Sequence, residues 1–339
     1  MITPRRSVSS FPSLTNAPSS KESPIHPHYR VVNDAGFDLS FLCDPDQLDY
    51  VRQQSDVPTP KNLPDIAPYE HFIIPTKGGG SVPLVLMRPK GTTNQNLPVI
   101  IYLHGGGFVF GSFSSKEKFM RDMVVKGHVA LVYVDYSLSP EVRYPVAVEE
   151  SYSAVLWAHQ HASLFGFDRS RITLLGDSSG GCLAASVSIL LHHRGHGDKL
   201  ESLLLIYPVV AYDRSMYESN TQYGQGNYLL SSKEMDFYWH TYTGGYSATS
   251  QALHDPSFAP LQTATLDDLR PLPRTLVLTA ECDILRDEAE HYARRLASAD
   301  VPSCSVRMMG TVHGFMAMDE TTHYRRGLSL ITDFLNESS

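Results

Sequence analysis

The sequence predicts an α/β protein, with a mostly parallel central sheet, helices on both faces and a helical cap. Three observations carry this. Residues 98–103 (PVIIYL) and 128–134 (HVALVYV) are near-continuous apolar runs, as strands buried on both faces require. Segments of helical length separate these runs from one another and from further short strands. The alternation breaks once, near 212–256, and then resumes. Repeated strand–helix units imply parallel strands joined by right-handed crossovers.

Taken in order, residues 1–25 are rich in Ser and Pro and read as a loose polar tail. Residues 26–65 are irregular, with helical character around 46–54, and are expected to lie over the main domain as part of a cap. Two strands, 71–75 and 82–87, flank the turn Lys77-Gly78-Gly79-Gly80. After strand 98–103 a helix is expected from Ser114 to Val125, with Ser114 and Glu117 at capping-box spacing. Strand 128–134, helix 146–161, strand 172–175, helix 180–193 and strand 203–206 follow. The segment 212–256 is polar and aromatic, lacks a strand signal and reads as an inserted cap. Strand 275–279, helix 287–298, strand 303–309 and a helix at 324–335 complete one α/β domain over 66–339.

Composition narrows the function. The chain has 339 residues, 42% hydrophobic and 19% charged, enough for a sizeable core in one large domain. The formal net charge is −8 and no basic block is present, which argues against nucleic acid as a partner. No apolar run reaches the roughly 18 residues of a membrane span. Cys43, Cys182, Cys282 and Cys304 form no CxxC pair, so they read as free thiols of a reducing compartment, the cytoplasm. Residues 1–21 contain basic and serine residues and no acid, a composition faintly like a transit peptide. The histidine-rich stretch 192–198 has no second ligand cluster and reads as a loop, so no metal and no cofactor is expected. Nothing in the sequence sets an oligomeric state.

The strongest chemical signal is Gly176-Asp177-Ser178-Ser179-Gly180-Gly181, a G-x-S-x-G pattern between a strand (ITLL) and a helix (CLAASVSILL). A sharp strand-to-helix turn lifts the central serine above the sheet edge, and small neighbours keep the crowded backbone free of clashes. The helix N-terminus beneath favours developing negative charge. The second signal is His104-Gly105-Gly106-Gly107, directly after strand 98–103. Three glycines there allow backbone N–H groups to approach a ligand. Gly105 and Gly106, with Ser179, are therefore expected to form an oxyanion hole. His104 reads as a structural residue holding this loop.

A serine hydroxyl needs a base, and the base an orienting carboxylate. Asp283 follows strand 275–279 and His313 follows strand 303–309, both at carboxyl ends, where open α/β sheets place their sites. For Asp283 the competing role is a helix N-cap, which Asp287 fits better. Ser178, Asp283 and His313 thus form the expected catalytic triad, acting on a small-molecule ester and water. Cys182 and Cys282, beside these residues, read as apolar packing.

Together YLHGGGFVFGS (102–112), VDYSLSPE (134–141), YPVAVEE (144–150), GDSSGG (176–181), AECDILRDE (280–288) and HGF (313–315) resemble the hormone-sensitive-lipase-like family of α/β-hydrolases. The resemblance spans about residues 70–335. It implies the α/β-hydrolase fold, serine carboxylesterase activity through this triad, and a cap built from N-terminal helices and an insertion. Ser179, Ser137 and Ile284 stand where Ala, Arg and Pro are frequent, and none of them removes a catalytic group. Two other readings share the fold. One is hydrolysis of a specialised natural-product ester, lactone, thioester or amide. The other is a non-catalytic small-molecule receptor, as in the plant gibberellin receptors, which lack the triad histidine that His313 supplies here.

Overall fold

The computed structural model describes residues 25–26, 29, 48–55, 62–245 and 250–337. The expected tail at 1–25 therefore lies outside the described residues except for Ile25, as does most of 26–65. Eight strands form one sheet: β1 (Glu70–Pro75), β2 (Ser81–Met87), β3 (Leu97–Leu103), β4 (Ala130–Val134), β5 (Phe167–Asp177), β6 (Ser202–Ile206), β7 (Arg274–Cys282) and β8 (Ser303–Val312). Their spatial order is β1-β2-β4-β3-β5-β6-β7-β8. The β1–β2 and β2–β4 pairs are antiparallel, and all the others are parallel.

Alternation of side chains along the central strands divides the core into two layers. Val99, Ile101, Leu103, Val132, Leu174 and Leu203 pack on one face, with buried residues of helices α3 (Val146–Gln160), α5 (Ser179–His193) and α10 (Arg286–Ser298). Ile100, Tyr102, Leu131, Leu175, Leu204 and Leu276 pack on the other, against α2 (Phe113–Gly127) and α11 (Thr322–Asn336). Each fully buried Val or Leu contributes about 1.5–3 kcal/mol relative to exposure. The apolar runs are thus explained by burial on both faces.

Remaining helices are α1 (Leu48–Ser55), α4 (Ala162–Phe165), α6 (Glu218–Tyr223), α7 (Ser232–Thr243), α8 (Pro260–Thr263) and α9 (Leu266–Leu269). The stretch between β6 and β7 is helical, with no strand among its described residues. Helix α1 is tied to the main domain through Arg52. Its guanidinium donates to the Val109 carbonyl at 3.0 Å and the Ser139 carbonyl at 2.9 Å, and it pairs with Glu141 at 2.6 Å.

Three local expectations are corrected. Strand β5 begins at Phe167 rather than 172, because Asp168–Arg171 are polar and largely exposed while still in strand conformation. Helix α2 is capped by Ser112, not Ser114. The Ser112 hydroxyl accepts from the Ser115 N–H and Ser115 returns the bond, while Glu117 is taken by Arg121 at 2.9 Å. Helix α10 has Leu285 at its N-cap and no side-chain cap, whereas Asp287 lies in the first turn and accepts from the Ser219 N–H at 2.8 Å.

Candidate active site

Ser178 sits between the end of β5 and the start of α5 with φ +55° and ψ −120°. A non-glycine residue rarely adopts this backbone, and the strain is held by the close packing around it. Gly180 shows how close. A Cβ there would lie 2.0 Å from the Leu103 carbonyl oxygen, so no larger residue lets β3 and the turn approach. The Ser178 N–H donates to Ile206 and its carbonyl accepts from Val209, which ties the turn to β6.

Ser178 Oγ lies 3.0 Å from His313 Nε2, and His313 Nδ1 lies 2.8 Å from Asp283 Oδ2. A carboxylate only accepts, so Nδ1 carries the proton and Nε2 is left to accept from the serine hydroxyl. The other oxygen of Asp283 accepts the Leu285 N–H at 2.9 Å. Asp283 therefore satisfies the local turn with one oxygen and holds the imidazole with the other. The acid and the base follow Cys282 and Val312, which pair directly across β7 and β8. Tyr207 packs on the imidazole with ring centroids 4.8 Å apart. Asp283 is buried, whereas the His313 side chain retains 14% exposure and Ser178 is half-buried.

The glycine loop differs from expectation at one residue. The Gly105 N–H donates to Asp177 Oδ1 at 2.8 Å, pointing away from any ligand above Ser178. The N–H groups of Gly106, Gly107 and Ser179 carry no acceptor among the described residues. Gly107 thus takes the place of Gly105 as a candidate donor. His104 holds the loop as expected. Its Nδ1 lies 3.0 Å from the Gly105 carbonyl, and its ring stacks on Tyr136 with centroids 4.3 Å apart. Burial pushes the His104 pKa down to about 4, so the ring is neutral.

The sequence pattern does not mark Asp177, which occupies an x position of the motif. Its side chain accepts from Tyr102 Oη at 2.6 Å and Lys116 Nζ at 2.9 Å as well as from Gly105. Burial alone would raise its pKa. The Lys116 charge, the Tyr102 hydroxyl and the Gly105 N–H together outweigh that, and the carboxyl ends below its ordinary value.

A cavity of about 360 Å³ opens above Ser178 and His313. Its roof comes from the stretch between β6 and β7, through Leu229, Leu230, Met235 and Tyr238, and Phe110 and Val209 complete an apolar wall. Among the described residues no group of three His, Cys, Asp or Glu side chains is arranged to hold a metal, and no helix is long and apolar enough to cross a membrane. Cys182 and Cys282 are buried and free, and Cys304 is exposed and free, whereas Cys43 lies outside the described residues.

Residues 100–317 match the family described by the alpha/beta hydrolase fold. A putative alpha/beta hydrolase of Acanthamoeba polyphaga mimivirus is 35% identical over 70% of this chain and 66% of its own length. An arylesterase of Saccharolobus solfataricus is 32% identical over 71% of this chain and 75% of its own. Among solved structures, a fungal esterase from Rhizomucor miehei is 38% identical with a TM-score of 0.81, covering 93% of this chain and 97% of that one. The chain belongs to the hormone-sensitive-lipase-like family of α/β-hydrolases and is a hydrolase of the carboxylesterase type.

Proposed function

We propose that the chain hydrolyses carboxylic esters with a small or medium, largely apolar arm, through an acyl-enzyme on Ser178. The observation that carries this is the hydrogen-bonded line Ser178–His313–Asp283, with steps of 3.0 and 2.8 Å, at the floor of an apolar cavity. His313 takes the hydroxyl proton as Ser178 attacks the ester carbonyl, and returns it to the departing alcohol. Asp283 fixes the imidazole tautomer and stabilises the imidazolium. The N–H groups of Gly106, Gly107 and Ser179 receive the oxyanion, each contributing about 3 kcal/mol. Water activated by His313 then releases the acid and restores Ser178.

The cap is assigned to α1 and to the described residues of 212–256, set over an α/β domain that starts at 66. Residues Leu229–Tyr238 in the cavity roof and the Arg52 contacts of α1 support this division. The free cysteines suit a reducing, cytoplasmic setting.

Hydrolysis of p-nitrophenyl esters from acetate to laurate, by wild type and Ser178→Ala, tests the reading. Turnover by wild type and its loss in a folded Ser178→Ala protein are expected, with rates declining once the acyl chain outgrows the cavity. Full activity in Ser178→Ala would overturn the mechanism, and an inactive wild type would overturn the substrate class.

A further inference from the structure

We infer that Lys116 is a positioning residue for the reaction, locking the glycine loop onto the nucleophile turn through the Asp177 carboxylate. The inference rests on the roles given above to Ser178 and the glycine loop.

Asp177 immediately precedes Ser178 at the end of β5, and its side chain is only 7% exposed. One oxygen receives Tyr102 Oη and the Gly105 N–H, and the other receives Lys116 Nζ. The Gly105 N–H has no other acceptor among the described residues. Asp177 is therefore the clasp between the loop that carries Gly106 and Gly107 and the turn that carries Ser178. Lys116 comes from a third element, the first turns of α2, is 17% exposed, and has Asp177 as its one hydrogen-bond acceptor among the described residues. It also lines the cavity beside Ser178.

This buried carboxylate has a cation in contact, whereas Asp283 is held by neutral groups alone. Loss of that cation favours protonation of Asp177 or its turning toward solvent, and either change weakens its bond to a neutral N–H. Charge-assisted bonds are roughly twice as strong as neutral ones, so Lys116 makes the clasp a firm one. Gly106 and Gly107 follow Gly105 directly, and any displacement of Gly105 moves both donors relative to the oxyanion. Ester binding in the apolar chamber does not depend on those donors. Loss of Lys116 should therefore lower kcat while KM holds.

The test compares Lys116→Met, Lys116→Arg and the double variant Lys116→Met/Asp177→Asn. It measures kcat and KM on p-nitrophenyl acetate and hexanoate, with thermal melts of each protein. Lys116→Met is expected to lose about 10²-fold in kcat, as a misplacement of order 1 Å costs, equally for both esters and with KM within about twofold. Lys116→Arg should restore most of the rate. The double variant should exceed Lys116→Met by about tenfold or more, because an amide oxygen accepts the Gly105 bond without needing a cation. If Lys116→Met unfolds, Lys116→Gln takes its place in every comparison, with the same loss in kcat expected at unchanged KM. An unchanged kcat in Lys116→Met, a KM rise on one ester alone, or a double variant no faster than the single one would overturn it. Ser178→Ala assayed in parallel fails independently: residual activity there removes the nucleophile, not the clasp.

Discussion

The rings of Phe108 and Tyr242 lie face to face, with 3.9 Å between centroids and 7° between planes. Phe108 directly follows the three glycines and Tyr242 lies in the last turn of α7, so the stack joins the glycine loop to the helical stretch above it. Both rings are buried. Tyr242→Ala is expected to destabilise the fold by about 3–5 kcal/mol, the usual cost of removing a large buried ring. Urea unfolding measures it. A midpoint within error of wild type would show that the stack holds nothing.

Asp283→Asn should leave the fold intact, since an amide oxygen still accepts the Leu285 N–H. It cannot hold a protonated Nδ1 with the remaining amide nitrogen, so the imidazole adopts the wrong tautomer. A loss of about 10⁴ in kcat is expected, with the thermal midpoint little changed. Steady-state kinetics beside a melt curve check both halves.

Gly106→Ala should be among the most damaging loop substitutions. Gly106 has φ +140°, and a Cβ on it would lie 2.1 Å from the Phe110 carbonyl oxygen. The loop must shift to admit it, taking the Gly106 and Gly107 donors with it. A fall of about 10²–10³ in kcat is expected, measured on p-nitrophenyl acetate. Retention of more than a tenth of the wild-type rate would argue against this loop as the oxyanion site.

Two buried groups give opposite pH dependences of stability. Burial raises the Glu288 pKa to about 7, against the pull of Arg214 and the N–H groups of Val210 and Ala211. The folded protein then binds a proton that the unfolded chain has released, and stability falls as pH rises from about 4.5 to about 7. His104, pushed down to about 4, acts the other way, and its contribution is lost as pH falls from about 6.5 toward 4. Glu288→Gln should therefore abolish the decline toward neutral pH, a change of a few kcal/mol. Urea unfolding of both proteins at pH 5 and pH 7.5 reads it, and an identical difference at the two pH values would refute the assignment.

Much of this architecture is legible in the residues. β3 and β4 announce themselves because both faces are buried and every position wants an apolar side chain. Ser178, Asp283 and His313 are legible because a strained serine turn and two strand ends leave few alternatives. The front of β5 is not, because Asp168–Arg171 look like a loop and lie in a register shift, between the Leu97–Phe167 and Val99–Ile172 pairs. Nor is the α2 cap, since Ser112/Ser115 and Ser114/Glu117 share the same spacing. The direction of the Gly105 N–H lies outside what residue type encodes, because glycine permits either orientation. The Lys116–Asp177 pair joins residues 61 positions apart, so only the fold brings them together.

Cys282 and Val312 face each other across β7 and β8, and Asp283 and His313 come immediately after them. Neighbouring strands stand about 4.8 Å apart wherever they pair. The reach from Asp283 to His313 is therefore set by this one pair, which forms just past a register shift between Ala280 and Cys282. The roof can be rebuilt for another ester without disturbing it. A one-residue slip of β8 would turn His313 to the opposite face and break its bond to Asp283, with every side chain of the site still present.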